Sequence, residues 1–241
     1  MDFCLNEKAA RADGVGGSFP SDPERECGLC PRLVAFRQSI REKWPQWHNA
    51  PVPTFGMADA RLLVVGLAPG LRGANRTGRP FTGDFAGDLL FETLIKFGFA
   101  EGVYGAEIDD GLRLISCAIT NAVRCVPPQN KPLPVEITTC RAFLATTIAA
   151  LPALRAIVAL GRIAHDAILR AYGKKLKDFP FAHGAEHAFL PRMATDSASA
   201  RTIRLFDSYH CSRYNTNTGV LTPAMFYDVF SKVRESLAAE S

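Results

Sequence analysis

The chain has 241 residues and a formal net charge of +4, with 47% hydrophobic and 22% charged residues. That usage is ordinary for a globular protein and excludes disorder and collagen-like structure, while the length suffices for one large domain or two small ones. No apolar run reaches the roughly 18 residues of a membrane span, and MDFCLNEKAARADGVGG at the N-terminus lacks an apolar signal core, so a cytoplasmic protein without membrane contact is expected.

Residues 1–25 are rich in Gly, Pro and charge without an apolar period and read as a flexible leader before a single domain over 26–241. Leu33, Phe36 and Ile40 mark one face of a helix that ends before the aromatic stretch Trp44 to Pro53. RLLVVGL at 61–67 is a continuous β-type run, as in a strand buried on both faces, and it stops at Ala68-Pro69-Gly70. The Gly-rich basic loop GLRGANRTGRPFTGD (70–84) leads into a helix over 88–98. LRLISCAIT at 112–120 predicts a second strand, followed by Asn121 and the loop RCVPPQNKPLP. A helix over 135–150 and a strand over 155–161 come next, then the helix RIAHDAILRAYG with Gly173 as its cap. Residues 174–200 are polar and irregular in pattern. RTIRLFDS at 201–208 is the last strand, and 222–237 the last helix, capped by Thr222 with Pro223 in its first turn.

Strand and helix thus alternate four times, which predicts an α/β fold: a three-layer α/β/α sandwich around a short, mostly parallel four-stranded sheet. In such sheets ligands bind outside the carboxyl ends of the strands, here the loops 66–84, 120–134 and 207–222. Counted over the segments 66–84, 119–132 and 208–222, they hold Arg72, Arg76, Arg79, Arg124, Lys131 and Arg213 against Asp84 alone, a charge balance suited to a phosphate backbone. The first loop has neither GK[ST] nor the GxGxxG spacing, so a nucleotide loop is excluded.

Seven cysteines in a chain without a secretory signal point to a metal site or buried thiols rather than disulfides. Cys27 and Cys30 form a CxxC; 94 residues intervene before Cys125 and 14 more before Cys140. Four thiolates suit zinc or an iron–sulfur cluster equally on this ground. Cys117, within a strand, reads as a small hydrophobe, and Cys4 and Cys211 need no special role.

Three segments together, GLAPGLRGANRTGRPFTGD (66–84), ITNAVRCVPPQNKP (119–132) and SYHCSRYNTNTGVLT (208–222), resemble the three motifs of the iron–sulfur uracil-DNA glycosylases. The resemblance is strongest to family 5 (type b), then to family 4. It spans residues 27–237, with Cys27, Cys30, Cys125 and Cys140 at the family's ligand positions. It implies a structural 4Fe-4S cluster and a monomeric, monofunctional enzyme that hydrolyses the N-glycosidic bond of uracil in DNA during base excision repair. Hypoxanthine, xanthine and ethenocytosine are further substrates it implies. A non-catalytic, metal-containing DNA-binding module is the alternative, and a small-molecule nucleoside hydrolase a third reading.

A base inside a duplex must be flipped into a pocket before it can be cut. The resemblance implies a pocket built from Gly66, Leu67, Ala68, Pro69, Gly70 and Asn75, with Phe81 stacking on the base. Asn121 offers both a donor and an acceptor to the uracil O4 and N3–H edge, and His210 a donor to O2 as the base leaves. Phe81 is otherwise a hydrophobic lid, Asn121 a turn residue and His210 an ordinary histidine. Asp84 is the carboxylate that the resemblance assigns to catalysis, and equally a helix N-cap by type and place. DNA contacts are implied for Arg72, Arg76, Arg79, Lys131, Ser212, Arg213 and Asn215. Two features stand apart: GLAPG carries no polar side chain, as in family 5, whereas Asn121 matches family 4 and narrows the expected substrates toward uracil.

Overall fold

The computed structural model describes residues 19, 22–190 and 202–239. The chain forms α1 (Pro31–Lys43), β1 (Phe55–Gly56), β2 (Leu62–Gly66), α2 (Ala74–Thr77) and α3 (Phe85–Lys96). A small hairpin follows, β3 (Ala100–Glu101) and β4 (Arg113–Leu114), and then β5 (Cys117–Asn121), α4 (Pro134–Ala149), β6 (Ala156–Leu160) and α5 (Arg162–Ala171). The last elements are β7 (Glu186–Phe189), β8 (Ile203–Ser208), α6 (Arg213–Asn217) and α7 (Pro223–Ala238).

The main sheet has six strands in the order β1-β5-β2-β6-β8-β7, not four. The four predicted strands are its parallel centre, and β1 and β7 flank it as antiparallel edges. Every residue of β2, β5 and β6 is buried, as the continuous apolar runs predict. Leu62 and Val64 join the core under α3 and α7, with Phe91, Phe226 and Phe230, whereas Leu63 and Val65 join the core under α4 and α5. Each such side chain contributes about 1.5–3 kcal/mol of burial, and the two cores make this a three-layer α/β/α arrangement. No helix among the described residues is long and apolar enough to cross a membrane.

The differences from expectation have local causes. The run 112–120 is two strands, because Ser116 takes a positive φ of 50° and separates β4, which pairs with β3, from β5 in the main sheet. Within 174–190 lie a 3-10 turn at Leu176–Asp178 and the edge strand β7, whose alternating exposure carries no continuous apolar signal; residues 191–201 lie outside the described residues. The helix expected at 88–98 begins at Phe85 because Asp84 caps it. Within the expected leader, Phe19 is buried and Asp22 accepts hydrogen bonds from the Thr54 amide and hydroxyl and from Arg124. The rest of residues 1–21, Cys4 included, lies outside the described residues.

The β3–β4 hairpin reaches back to the first loop through two ion pairs, one on the surface (Arg76–Glu107) and one buried (Arg79–Asp110). Arg79 donates to both Asp110 oxygens at 2.8 and 2.6 Å and to Thr82 Oγ1 at 2.7 Å, with both charged side chains under 6% exposed. The guanidinium also lies over the rings of Phe55, Phe91 and Tyr104. Burial alone would raise the Asp110 pKa, but the Arg79 hydrogen bonds and the amides of Leu112 and Gly105 hold it down at about 2. The folded pKa lies below the ordinary 3.8, so this stabilisation is present above pH 4 and is lost as pH falls through about 2. Removing one partner of a buried pair costs roughly 3–5 kcal/mol. Asp110→Asn is therefore expected to lower stability by about 3 kcal/mol in urea titrations, whereas Glu107→Gln, breaking the surface pair with Arg76, costs under about 1 kcal/mol. Equal costs would contradict this account.

Candidate active site

Parallel pairing of β2 and β5 sets Gly66 directly beside Asn121 at the carboxyl end of the sheet. A methyl group at Gly66 would lie 2.5 Å from Asn121 Oδ1 and 2.5 Å from Phe81 Cζ, so both side chains occupy the space over that bare backbone. Asn121 is 2% exposed, and its Nδ2 is a buried donor with no hydrogen-bond partner. An unmet buried donor costs about 1–3 kcal/mol, and an acceptor entering beside Gly66 would meet it.

Phe81 has a φ of +56°, a left-handed conformation costing roughly 1–2 kcal/mol for such a residue. Tyr104 holds it there: the hydroxyl donates to the Phe81 carbonyl at 3.1 Å and accepts from the Gly83 amide at 3.3 Å. Burial pushes the Tyr104 pKa up to about 12, so it stays a donor. Gly87 of α3 backs onto the same carbonyl, leaving no room for a Cβ. Tyr104 was not singled out from sequence; it lies in a connection without periodicity, and only the hairpin brings it here.

His210 enters from the exit of β8. Its ring lies 5.9 Å from that of Phe81 at 26°. Asn215 Nδ2 donates to the His210 carbonyl at 2.8 Å, while Ser212 caps α6 by accepting from the Asn215 amide. These two residues, expected at DNA, thus spend polar groups on shaping the third loop. Cys211 is fully buried and donates to the Ala86 carbonyl at 3.4 Å, tying the loop to the start of α3. Burial lowers the His210 pKa to about 4, so the imidazole is neutral at pH 7 and offers an N–H.

Asp84 divides its carboxylate. Oδ1 accepts from the Ala86 amide at 3.2 Å and caps α3, while Oδ2 faces Gly70 and Gly73, where neither position leaves room for a Cβ. Burial raises the Asp84 pKa against the amides of Gly87 and Ala86, which lower it. The cap is therefore real, and it leaves one oxygen turned toward the glycine loop. Leu67, Ala68 and Pro69 continue from β2, with the Leu67 carbonyl accepting from the Val123 amide. Asn75 is buried and donates to Asn49 Oδ1, while its own Oδ1 has no partner; it braces the loop from behind.

The basic cluster is smaller than the count predicts. Arg79 is bound to Asp110, and Arg124 is 1% exposed, donating to Asp22, Thr54 and Thr147. Both guanidiniums are buried and paired inside the protein. Arg76 pairs with Glu107 on the surface. Arg72, Lys131 and Arg213 remain exposed, and Arg213 lies over the Phe85 ring.

Cys27, Cys30, Cys125 and Cys140 line one small pocket with Leu33, Val123 and Phe143. Arg37 donates to Cys125 Sγ at 3.4 Å and the Arg124 amide to Cys140 Sγ at 3.3 Å, contacts that would favour thiolates. Burial pushes the Cys125 and Cys140 thiols up to about 12 and about 11, so without a cation they stay protonated. Among the described residues, the set of ligand atoms lying within 4.8 Å of one another is His165, His187 and Asp207. Cys117 is buried inside β5, where burial raises its thiol.

The model of the uracil DNA glycosylase superfamily matches residues 53–234. The chain is 44% identical over 214 residues to a type-5 uracil-DNA glycosylase of Thermus thermophilus, covering 86% of this chain and 92% of that one. It is 37% identical to the type-5 uracil-DNA glycosylase of Pyrobaculum aerophilum over 86% of this chain and 87% of the other. A type-4 uracil-DNA glycosylase of the same archaeon is 34% identical over 152 residues, 63% of each chain. The loops that carry Gly66, Asn121 and His210 all fall inside the matched span, and the chain belongs to the uracil DNA glycosylase superfamily.

Proposed function

We propose that this chain is a monofunctional DNA glycosylase that releases uracil by hydrolysing its N1–C1′ bond and leaves an abasic site, and that Asn121, Phe81, His210 and Asp84 do the work. The observation that carries the reading is the unpartnered buried donor of Asn121 beside the bare Gly66. Uracil presents an acceptor at O4 next to a donor at N3, which an Asn amide matches with Nδ2 and Oδ1. Cytosine presents the opposite pair and would leave the buried amide unmet, a mismatch that discriminates by roughly 10⁴-fold. Ethenocytosine lacks the N3–H donor and is rejected on the same ground, whereas hypoxanthine and xanthine present the same acceptor and donor at O6 and N1–H and are distinguished from uracil only by their size.

The flipped base stacks on Phe81. As the glycosidic bond breaks, its electrons pass to the base, and the neutral His210 donates to the developing O2 anion. A neutral donor suits this role because it does not have to be desolvated as a cation first. The sugar becomes oxocarbenium-like, and water adds at C1′ and loses its proton. The free Asp84 oxygen, its pKa raised by burial, orients that water and favours the cation. DNA itself is held by exposed Arg72, Lys131 and Arg213. A monomer acting in the cytoplasm on nucleoid DNA is consistent with this chemistry.

The residues of the thiol pocket fit a 4Fe-4S cluster, held by Cys27, Cys30, Cys125 and Cys140. The bound cluster would supply a cross-link and no reaction step, joining the start of α1 to the second loop and α4. Cys140→Ser is expected to lower iron content and the thermal midpoint of the purified protein together; full iron and an unchanged midpoint would remove Cys140 from the ligand set.

Uracil release from single- and double-stranded oligonucleotides tests the main reading. His210→Ala is expected to lower kcat by roughly 10²–10³ while leaving DNA affinity within about twofold. Gly66→Ala, which pushes on both Asn121 and Phe81, is expected to lose at least about 10² in kcat/KM with the fold intact by circular dichroism. DNA binding without release of uracil or any other deaminated base would favour a non-catalytic binding module instead.

A further inference from the structure

Three histidines that the reaction does not use surround the end of β8, immediately before His210. Asp207 is fully buried there, and its two oxygens face different rings: His165 Nδ1 at 2.7 Å and His187 Nε2 at 3.3 Å. The other nitrogen of His165 meets the Phe179 carbonyl at 2.9 Å. A carbonyl only accepts, so Nε2 carries a proton, and Nδ1 shares a second proton with the Asp207 carboxyl group. Two residues on, the Tyr209 amide donates to His183 Nδ1 at 3.1 Å, and the two rings stack at 5.0 Å. That contact requires the opposite state, a ring with Nδ1 unprotonated.

Although the His165, His187 and Asp207 atoms lie as close as metal ligands, both His165 nitrogens are already bonded and the carboxylate is matched on both oxygens. The set is closed. It is also placed where it governs His210. The Asp207 amide and carbonyl pair with Ala185 and Gly184, the Ser208 carbonyl accepts from Gly161, and Gly161 borders the His210 Cβ. Residues 207–209 are therefore held from three sides, by α5, by β6 and by the segment leading into β7.

We propose that His165, His183 and His187 are positioning residues which, through Asp207 and the Tyr209 amide, set the place of His210 against the departing base. This inference rests on the glycosylase reading of His210. Hydrogen bonds aimed at developing charge lose their effect with small displacements, so a loosened β8 exit lowers the chemical step more than DNA binding. The clamp works in a bounded pH range. For His165, burial lowers the pKa, but the hydrogen bond and charge of Asp207, the Phe179 carbonyl and the charge of Asp166 raise it above the ordinary value. For His183, burial lowers it, aided by Lys232 and opposed by the Met225 backbone and Asp228. Acid thus breaks the His183 contact and alkali the His165 pair.

The test uses single-turnover release of uracil by the full chain. Asp207→Asn and His183→Ala are each expected to lower kcat at least about tenfold, with KM within twofold. His183→Asn, which keeps an acceptor near Nδ1, is expected to restore kcat to within about threefold and to flatten the acid limb that His183 contributes. If His210→Ala retains full activity, the glycosylase reading of His210 fails and the inference with it. If His210→Ala is inactive while Asp207→Asn and His183→Ala keep wild-type kcat, the positioning role alone is overturned. It is equally overturned if the losses fall on KM, or if His183→Asn is as impaired as His183→Ala.

Discussion

The absence of a side chain at residue 66 is the constraint on which the pocket depends. β2 and β5 pair in parallel register, so Gly66 and Asn121 end side by side, and the Asn121 amide and the Phe81 ring fill the volume that a Cβ would claim. Any other residue there would displace one of them by a distance comparable with a hydrogen bond's tolerance. The rest is support for that contact. Arg79 and Asp110 fix the loop that carries Phe81, Tyr104 holds its unfavourable backbone, and Gly87 lets α3 approach the same carbonyl. Strain at Phe81 is tolerated because three independent contacts determine it.

The same economy explains the fate of the arginines. Arg79 and Arg124 occur in basic loops, and composition alone places them against phosphate. Their partners, Asp110 and Asp22, lie 31 and 102 residues away in sequence. No local pattern shows such pairing, because the hairpin that returns Asp110 and the segment that returns Asp22 are themselves tertiary. Both pairs hold a site loop to a distant part of the chain. The positive field that remains for DNA comes from fewer groups, and those are exposed, so binding should weaken with added salt but with a modest slope.

Legibility in the sequence follows the same division. The central strands were readable because burial on both faces demands unbroken apolar runs, as in LLVVG and AIVAL. Thr222 and Gly173 were readable because caps depend on residue type and place. β1 and β7 were not, since an edge strand of two or four half-exposed residues needs little apolar pattern. Among site residues, Gly66, Phe81, Asn121 and His210 stand in motif segments and meet in space. Tyr104, Asp110 and the histidines around Asp207 stand in unremarkable sequence, and only the fold gives them a function.

Asp84 shows how one residue reconciles two readings that sequence leaves balanced. A capping carboxylate uses one oxygen, and the amides of Ala86 and Gly87 would by themselves keep it strongly acidic. Burial against Gly70 and Gly73 works in the opposite direction and leaves the net pKa raised. The cap therefore fixes the orientation of the carboxylate, while burial keeps its second oxygen basic enough to receive a hydrogen bond from water. Such a group is a poor strong base, and a dissociative reaction does not need one: the cation forms before water must give up its proton. In the mechanism proposed above the missing polar residue in GLAPG is then no deficiency, because the main barrier is departure of the base, the step assigned there to His210 and Asn121.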